Sequence, residues 1–130
     1  MAREATPLLM FTGQAAEAMA FYTSLFPGSA VGAVELYGPG EMGPEGTVKR
    51  ARFTLAGRDY LCIDSPPVHA FTFTPSFSIF VECADAEFAA ATGRLAEGGQ
   101  FLMPPDNYGF SARFAWLNDR FGVSWQLNLA

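Results

Sequence analysis

Ala51-Arg52-Phe53 returns as Ala112-Arg113-Phe114, and Tyr37-Gly38 returns as Tyr108-Gly109, so the chain repeats itself at a shift of about half its length. An extended apolar run and an Ala-rich helical stretch precede each copy. These are Leu8 to Phe11 then Ala15 to Phe26 in the first, and Phe77 to Val81 then Ala86 to Leu95 in the second. The order of elements matches on both sides of the identities, which is the signature of an internal duplication. The reading is an α+β fold of two βαβββ modules, about 5–66 and about 74–130, joined by a connector of about 67–73. Curved mixed sheets would enclose a cleft between the copies, and duplication favours a functional site there.

The helices carry the pattern. Ala15, Ala18, Met19, Tyr22, Leu25 and Phe26 recur at steps of three and four, the period of one buried helical face, and Pro27-Gly28 ends the run. The second helix has Asp85 as its expected N-cap, a stripe of Phe88, Ala91, Thr92 and Leu95, and Gly98-Gly99 as its stop. A strand follows each helix, Ala30 to Tyr37 and Gln100 to Tyr108. Pro104-Pro105 marks the latter as an edge strand, because proline cannot donate to a ladder. Gly38 to Gly46 is the main insertion of the first copy and reads as a mobile hairpin loop. It lacks the Lys-Ser/Thr of a phosphate-binding loop and carries Glu41 and Glu45, which would repel phosphate.

With 130 residues, half of them apolar, the chain suffices for one domain with a real core. Eight Lys plus Arg against thirteen Asp plus Glu give a net charge of -5, which disfavours nucleic acid and anionic membranes as partners. No apolar leader follows Met1-Ala2-Arg3-Glu4 and no run is long enough to span a bilayer, so the expected location is cytoplasmic. Cys62 and Cys83 sit in separate strand-like runs without metal-ligand spacing and read as buried free thiols.

Alternation in the closing strands nominates the site. In Val123-Ser124-Trp125-Gln126-Leu127-Asn128-Leu129 the apolar residues take one face and Ser124, Gln126 and Asn128 the other. Phe114 and Trp116 are read as helix-facing core with Trp125 and Phe53, and Arg113 as polar-faced. Tyr60, Cys62 and Asp64 oppose Leu61 and Ile63, with Cys62 aligned to Gln126 in the repeat. Arg52 and Arg113 hold equivalent repeat positions, where guanidinium forks would recognise an anionic or carbonyl-rich ligand unless they pair with Asp64, Asp106 or Asp119.

Further residues resemble a known family. These are Phe11-Thr12-Gly13-Gln14-Ala15-Ala16-Glu17-Ala18-Met19-Ala20-Phe21-Tyr22, Ile63-Asp64-Ser65-Pro66-Pro67-Val68-His69-Ala70-Phe71-Thr72-Phe73-Thr74-Pro75, Asp106-Asn107-Tyr108-Gly109-Phe110-Ser111 and Asn118-Asp119-Arg120-Phe121-Gly122-Val123-Ser124-Trp125-Gln126-Leu127. Over nearly its whole length the chain resembles the PhnB-like branch of the vicinal oxygen chelate superfamily, the glyoxalase, bleomycin-resistance and extradiol-dioxygenase fold. Members often carry the label 3-demethylubiquinone methyltransferase. The chain has no Gly-rich strand-to-helix turn for S-adenosylmethionine and is too short for a doubly wound methyltransferase.

The resemblance implies a homodimer and a divalent metal held from the first and last strands of each copy. The positions matched to those ligands are Ala5, Thr6 or Pro7, then Cys62, Ser76 and Gln126, with no histidine or carboxylate among them. The expectation is therefore no metal and no cofactor, with a rearranged site of Asp64, His69 and Cys62 left open. The favoured function is a metal-free cleft for a small anionic or carbonyl-containing metabolite, lined by Arg52, Cys62, Ser76, Arg113, Ser124, Gln126 and Asn128. Three alternatives stand beside it: an isomerase or lyase using His69, Asp64 or Tyr108 as acid or base, the methyltransferase of the family label, and a non-catalytic dimeric domain.

Overall fold

A computed structural model describes every residue except Met1 and Pro67, so the first residue of the expected leader-free N-terminus and of the expected connector lie outside the described residues. The chain divides into two compact units between Ala70 and Phe71. The first holds β1 (Leu8–Phe11), α1 (Ala15–Thr23), β2 (Ala30–Leu36), β3 (Val48–Leu55) and β4 (Arg58–Asp64) in a sheet of order β1-β4-β3-β2. The second holds β5 (Ser78–Glu82), α2 (Asp85–Ala96), β6 (Gln100–Asp106), β7 (Arg113–Asn118) and β8 (Ser124–Leu129) in the order β5-β8-β7-β6. In both, the first strand runs parallel to the last and the other pairs are antiparallel. The two βαβββ modules are thus one topology used twice, in two open four-stranded sheets.

Each helix buries the stripe its spacing predicts, Ala15, Ala18, Met19 and Tyr22 in α1 and Phe88, Ala91, Thr92 and Leu95 in α2. α1 stops three residues early. The Thr23 hydroxyl donates to Met19 O at 2.7 Å and the Ser24 hydroxyl to Phe21 O at 2.6 Å, while the Leu25 N–H closes a tighter turn on Tyr22 O. Phe26 stays buried beyond the helix end. At α2 the cap position is Ala84 rather than Asp85, because the Glu87 carboxylate reaches back to the Ala84 N–H at 3.1 Å. Asp85 then lies in the first turn, where its charge meets the positive end of the helix dipole.

β6 is an edge strand, with register shifts on either side of Met103 and through Pro104-Pro105. It leaves α2 through Gly98, whose φ of +73° suits glycine, and Gly99, where a Cβ would stand 2.1 Å from Asn118 O. The Gly38–Gly46 insertion is tied rather than bare. Glu41 accepts the Gly38 N–H at 2.7 Å and pairs with Lys49 at 2.6 Å, and Gly46 N–H reaches Tyr37 O.

Register corrects the sequence alignment of the copies. Residues directly opposite in adjacent strands share a face. Ala51 and Phe53 oppose Cys62 and Tyr60 on the α1 side, where the Phe53 ring lies 6.4 Å from Tyr22, and Arg52 is on the reverse face. In the second unit Arg113 shares the α2 side with Ala115, Leu117, Trp125 and Leu127, its guanidinium 5.8 Å over the Phe88 ring. Phe114 and Trp116 are on the reverse face, opposite Asn128 and Gln126. The repeated Ala-Arg-Phe therefore sits one residue out of phase, and a one-residue slip exchanges every side chain between faces.

Candidate functional site

The helix-free face of the second sheet gathers the polar residues that alternation separates from the core. Ser78, Phe80 and Glu82 on β5 stand beside Ser124, Gln126 and Asn128 on β8, and those beside Asn118, Trp116 and Phe114 on β7. Ser78 and Ser124 share a hydroxyl hydrogen bond of 2.7 Å. The Trp116 indole N–H donates to Ser124 Oγ at 2.9 Å, and the Gln126 amide donates to Ser78 Oγ at 3.3 Å. Asn128 donates to Glu82 at 3.1 Å. Two acceptors in this row, Asn118 Oδ1 and Asn128 Oδ1, are buried without a hydrogen-bond partner among the described residues. Buried orphans of this kind are uncommon, because each forfeits its hydration without replacement.

Aromatic rings border the row. Phe80 is 53% exposed, and Phe114 is covered by Phe110 and Tyr108 at centroid distances of 5.0 and 6.2 Å. Phe114 and Trp116, expected in the helix-side core, belong to this wall. Tyr108 stacks on Phe110 and donates its hydroxyl to Pro104 O, which occupies the proton that acid chemistry would use.

The remaining nominated residues lie elsewhere. Ser76 precedes β5 and bonds Thr74, so the strand residue facing Ser124 is Ser78. In Ser78-Ile79-Phe80-Val81-Glu82 the residues Ile79 and Val81 alternate with Ser78 and Glu82, but Phe80 interrupts the polar face, so period two alone does not single out Ser78. Arg113 is on the helix side of the same sheet, and its expected partnership with Gln126 is corrected by register. Ala5, Thr6 and Pro7 come before β1, with Pro7 O accepting the Leu61 N–H.

Arg52 occupies the open face of the first sheet, but its guanidinium is held by Glu4 at 2.8 Å and Asp59 at 3.0 Å, not by the three aspartates expected. The Arg52 bond, helped by one from the Thr6 hydroxyl, holds the Glu4 carboxyl below its ordinary range. Cys62 and Asp64 face α1 instead of the open side; the open-face residues of β4 are Leu61 and Ile63. Asp64 is a buried structural acceptor. One oxygen takes the N–H groups of Gly13 (2.8 Å) and Ala15 (3.0 Å) at the start of α1, and the other takes Val48 N–H (2.9 Å) at the start of β3. Its lone pairs are directed at backbone rather than at a substrate, which corrects the acid–base role. His69 is half-buried with Nε2 3.3 Å from Ser65 Oγ. Asp64, Cys62 and His69 form no common ligand set.

Both cysteines are free and buried. Burial, aided by the Asp64 charge, pushes the Cys62 thiol up to about 12, and burial with the Glu87 charge pushes Cys83 up to about 11. The unfolded thiols ionise first, near 9.0. Their contribution to stability is therefore complete below about pH 9 and is lost as pH rises toward the folded values. A thiol reagent at pH 8 should find neither cysteine in the native protein and both after denaturation, and denaturant midpoints should fall on raising the pH above 9. Rapid native labelling would contradict this burial.

A family model described as 3-demethylubiquinone-9 3-methyltransferase matches residues 3–128. The chain belongs to that family. It is PhnB-like: a Bacillus cereus PhnB protein, given the same methyltransferase designation provisionally, is 49% identical over 98% of this chain and 100% of its own, with a TM-score of 0.95. A Pseudomonas aeruginosa protein is 26% identical over 98% of each chain with a TM-score of 0.83. FosX of Listeria monocytogenes, a fosfomycin resistance protein solved with Mn(II), is 14% identical over 98% of this chain and 92% of its own, with a TM-score of 0.67. That likeness establishes the shared vicinal oxygen chelate fold. No curated protein matches.

The metal of the superfamily can be tested against this PhnB-like chain. On the open faces the first and last strands present Leu8, Met10, Leu61 and Ile63 in one unit and Ser78, Phe80, Ser124 and Gln126 in the other. Glu82 is the one carboxylate of that second set of strands and already accepts from Asn128. Among the described residues no group of three or more His, Cys, Asp or Glu side chains could hold an ion. These donors do not fit a divalent transition metal, which needs imidazole, thiolate or carboxylate ligands.

Proposed function

We propose that this PhnB-like protein binds a small carbonyl-bearing molecule with a hydroxyl or amide donor on the open face of the second sheet, without a metal. The observation that carries the reading is the pair of buried oxygens of Asn118 and Asn128, without a hydrogen-bond partner among the described residues, flanking the Ser124–Gln126 row. A ligand donor would satisfy such an acceptor, the Gln126 amide would supply a donor to a carbonyl, and Phe80 and Trp116 would cover apolar parts. An anionic ligand fits this face less well, because Arg113 is on the other side of the sheet and Glu82 is on this one. The methyltransferase designation gains nothing from the architecture, in which each sheet has a single parallel pair rather than a doubly wound parallel set. The isomerase or lyase alternative loses Asp64 to its three backbone bonds.

Native mass spectrometry of freshly purified protein should show a small-molecule adduct and no stoichiometric Zn, Mn, Fe or Ni. Gln126→Ala should lose the adduct, and with it a thermal stabilisation of about 2–3 kcal/mol at a ligand concentration about a hundred times Kd. The circular dichroism spectrum should be unchanged. Metal at one equivalent, or an adduct indifferent to Gln126, would overturn the proposal.

The chain is also proposed to form a homodimer. β2 is an edge strand with every residue exposed, including Val31, Val34 and Leu36. Covering such an edge removes both apolar surface and unpaired backbone groups from water. Sedimentation equilibrium at micromolar concentration should give twice the chain mass, with a total interface above about 1,000 Å². A monomer at that concentration would refute it.

A further inference from the structure

The second unit has a hollow of about 490 Å³ on the helix side of its sheet, between α2 and strands β6 and β7. It is on the face of the sheet opposite Gln126, so it is separate from the site proposed above. Its walls are Phe88, Phe101 and Pro105, and its polar groups are Thr92, Asp85 and Arg113. Three features of the surrounding chain bear on what could fill this space.

The first is Gly93, which lines the hollow from the middle of α2. Glycine in a helix interior is destabilising relative to alanine. Packing does not demand it here, since a Cβ at Gly93 would meet nothing within 4 Å. The second is Thr92, 3% exposed, whose hydroxyl oxygen has no hydrogen-bond partner among the described residues. A helical threonine can satisfy itself on the preceding turn, and this one does not. The third is Arg113, whose guanidinium lies 5.8 Å over the Phe88 ring with no carboxylate in ion-pair range among the described residues.

We propose that this hollow binds an α-amino acid with an apolar side chain. Its carboxylate would pair with Arg113 through the planar fork that suits two oxygens. Its ammonium group would pair with Asp85, one helical turn from Phe88 and so on the side of α2 over which the guanidinium lies. The side chain would run between Phe88 and Phe101 over the floor left open at Gly93, and Thr92 would bond a water carried in with the ligand. One cation, one anion and apolar walls complement a zwitterion better than a simple acid, which would face the Asp85 charge.

Amide chemical shifts of the whole chain would be followed during titration with L-phenylalanine, 3-phenylpropanoate and phenethylamine at millimolar concentration. Phenylalanine should shift amides of α2, β6 and β7 saturably, and each half-ligand should bind at least about tenfold more weakly, for the lost charged contact. Arg113→Gln should weaken phenylalanine and 3-phenylpropanoate but spare phenethylamine, and Asp85→Asn should do the converse. Gly93→Leu, which fills the floor and favours the helix, should abolish binding with helicity intact. Gln126→Ala should leave phenylalanine binding unchanged, which separates this site from the open-face one. Equal binding of 3-phenylpropanoate and phenylalanine, no saturable shifts, or full binding by Gly93→Leu would each overturn the proposal.

Discussion

Asp64→Ala should lower the stability of the protein by about 3–5 kcal/mol, one of the two largest losses expected from any polar substitution in this chain. The side chain is 4% exposed and accepts three backbone N–H groups from segments far apart in sequence. Truncation leaves the Gly13, Ala15 and Val48 N–H groups without their acceptor. The melting temperature should drop by roughly 10–20 °C. Asp64→Asn should fall between, because its oxygen still serves Gly13 and Ala15 while its amide turns a donor toward the Val48 N–H. Thermal unfolding followed by circular dichroism measures both. An unchanged Tm for Asp64→Ala would restore the reading of Asp64 as a free acid or base.

The second large effect belongs to Asp119→Ala, again about 3–5 kcal/mol. One oxygen accepts the Phe121 and Val123 N–H groups at 2.8 and 3.0 Å, and the other accepts the indole N–H of the fully buried Trp125 at 2.9 Å. This carboxylate shapes the turn between β7 and β8 and so fixes the register that sets Ser124 opposite Asn118. Near-ultraviolet dichroism should lose Trp125 intensity together with the stability. Because Ser124 and Gln126 follow directly from that turn, ligand binding on the open face should weaken as well. A variant with native Tm and an unaltered tryptophan signal would show that the turn stands without it.

Element order, helix stripes and the edge character of β6 were legible because each rests on a period or a breaker that acts locally. Faces were harder. Ala51-Arg52-Phe53 and Ala112-Arg113-Phe114 are identical in letters but occupy strands whose phases differ by one residue, and identity of letters carries no phase. Aligning Cys62 with Gln126 inherits the same slip, which places Cys62, Asp64 and Arg113 on the open face although all three face a helix. The shared face of Ser124, Gln126 and Asn128 is legible, since its alternation is internal to one strand.

Asp64 illustrates the other limit. Its role depends on contacts 49 and 51 residues away, which no window along the chain reveals. A clue was present in what α1 lacks: Gln14 at its start makes no side-chain cap, so the first N–H groups of the helix had to find an acceptor elsewhere. Arg52 carries a legible signal, because Asp59 is on the adjacent strand within reach of both Arg52 and Thr54.

The outer strands that follow the helices also differ in how they would behave when the protein is concentrated or partly unfolded. β6 has two consecutive prolines and register breaks on both sides of Met103, so it offers an incomplete set of donors to any incoming strand and resists templated aggregation. β2 has bulges but no proline, and its exposed Val31, Val34 and Leu36 give it the composition of a sticky edge. Misassembly of this chain should therefore begin at β2 once the proposed dimer dissociates and uncovers it, whereas β6 stays a poor template in either state.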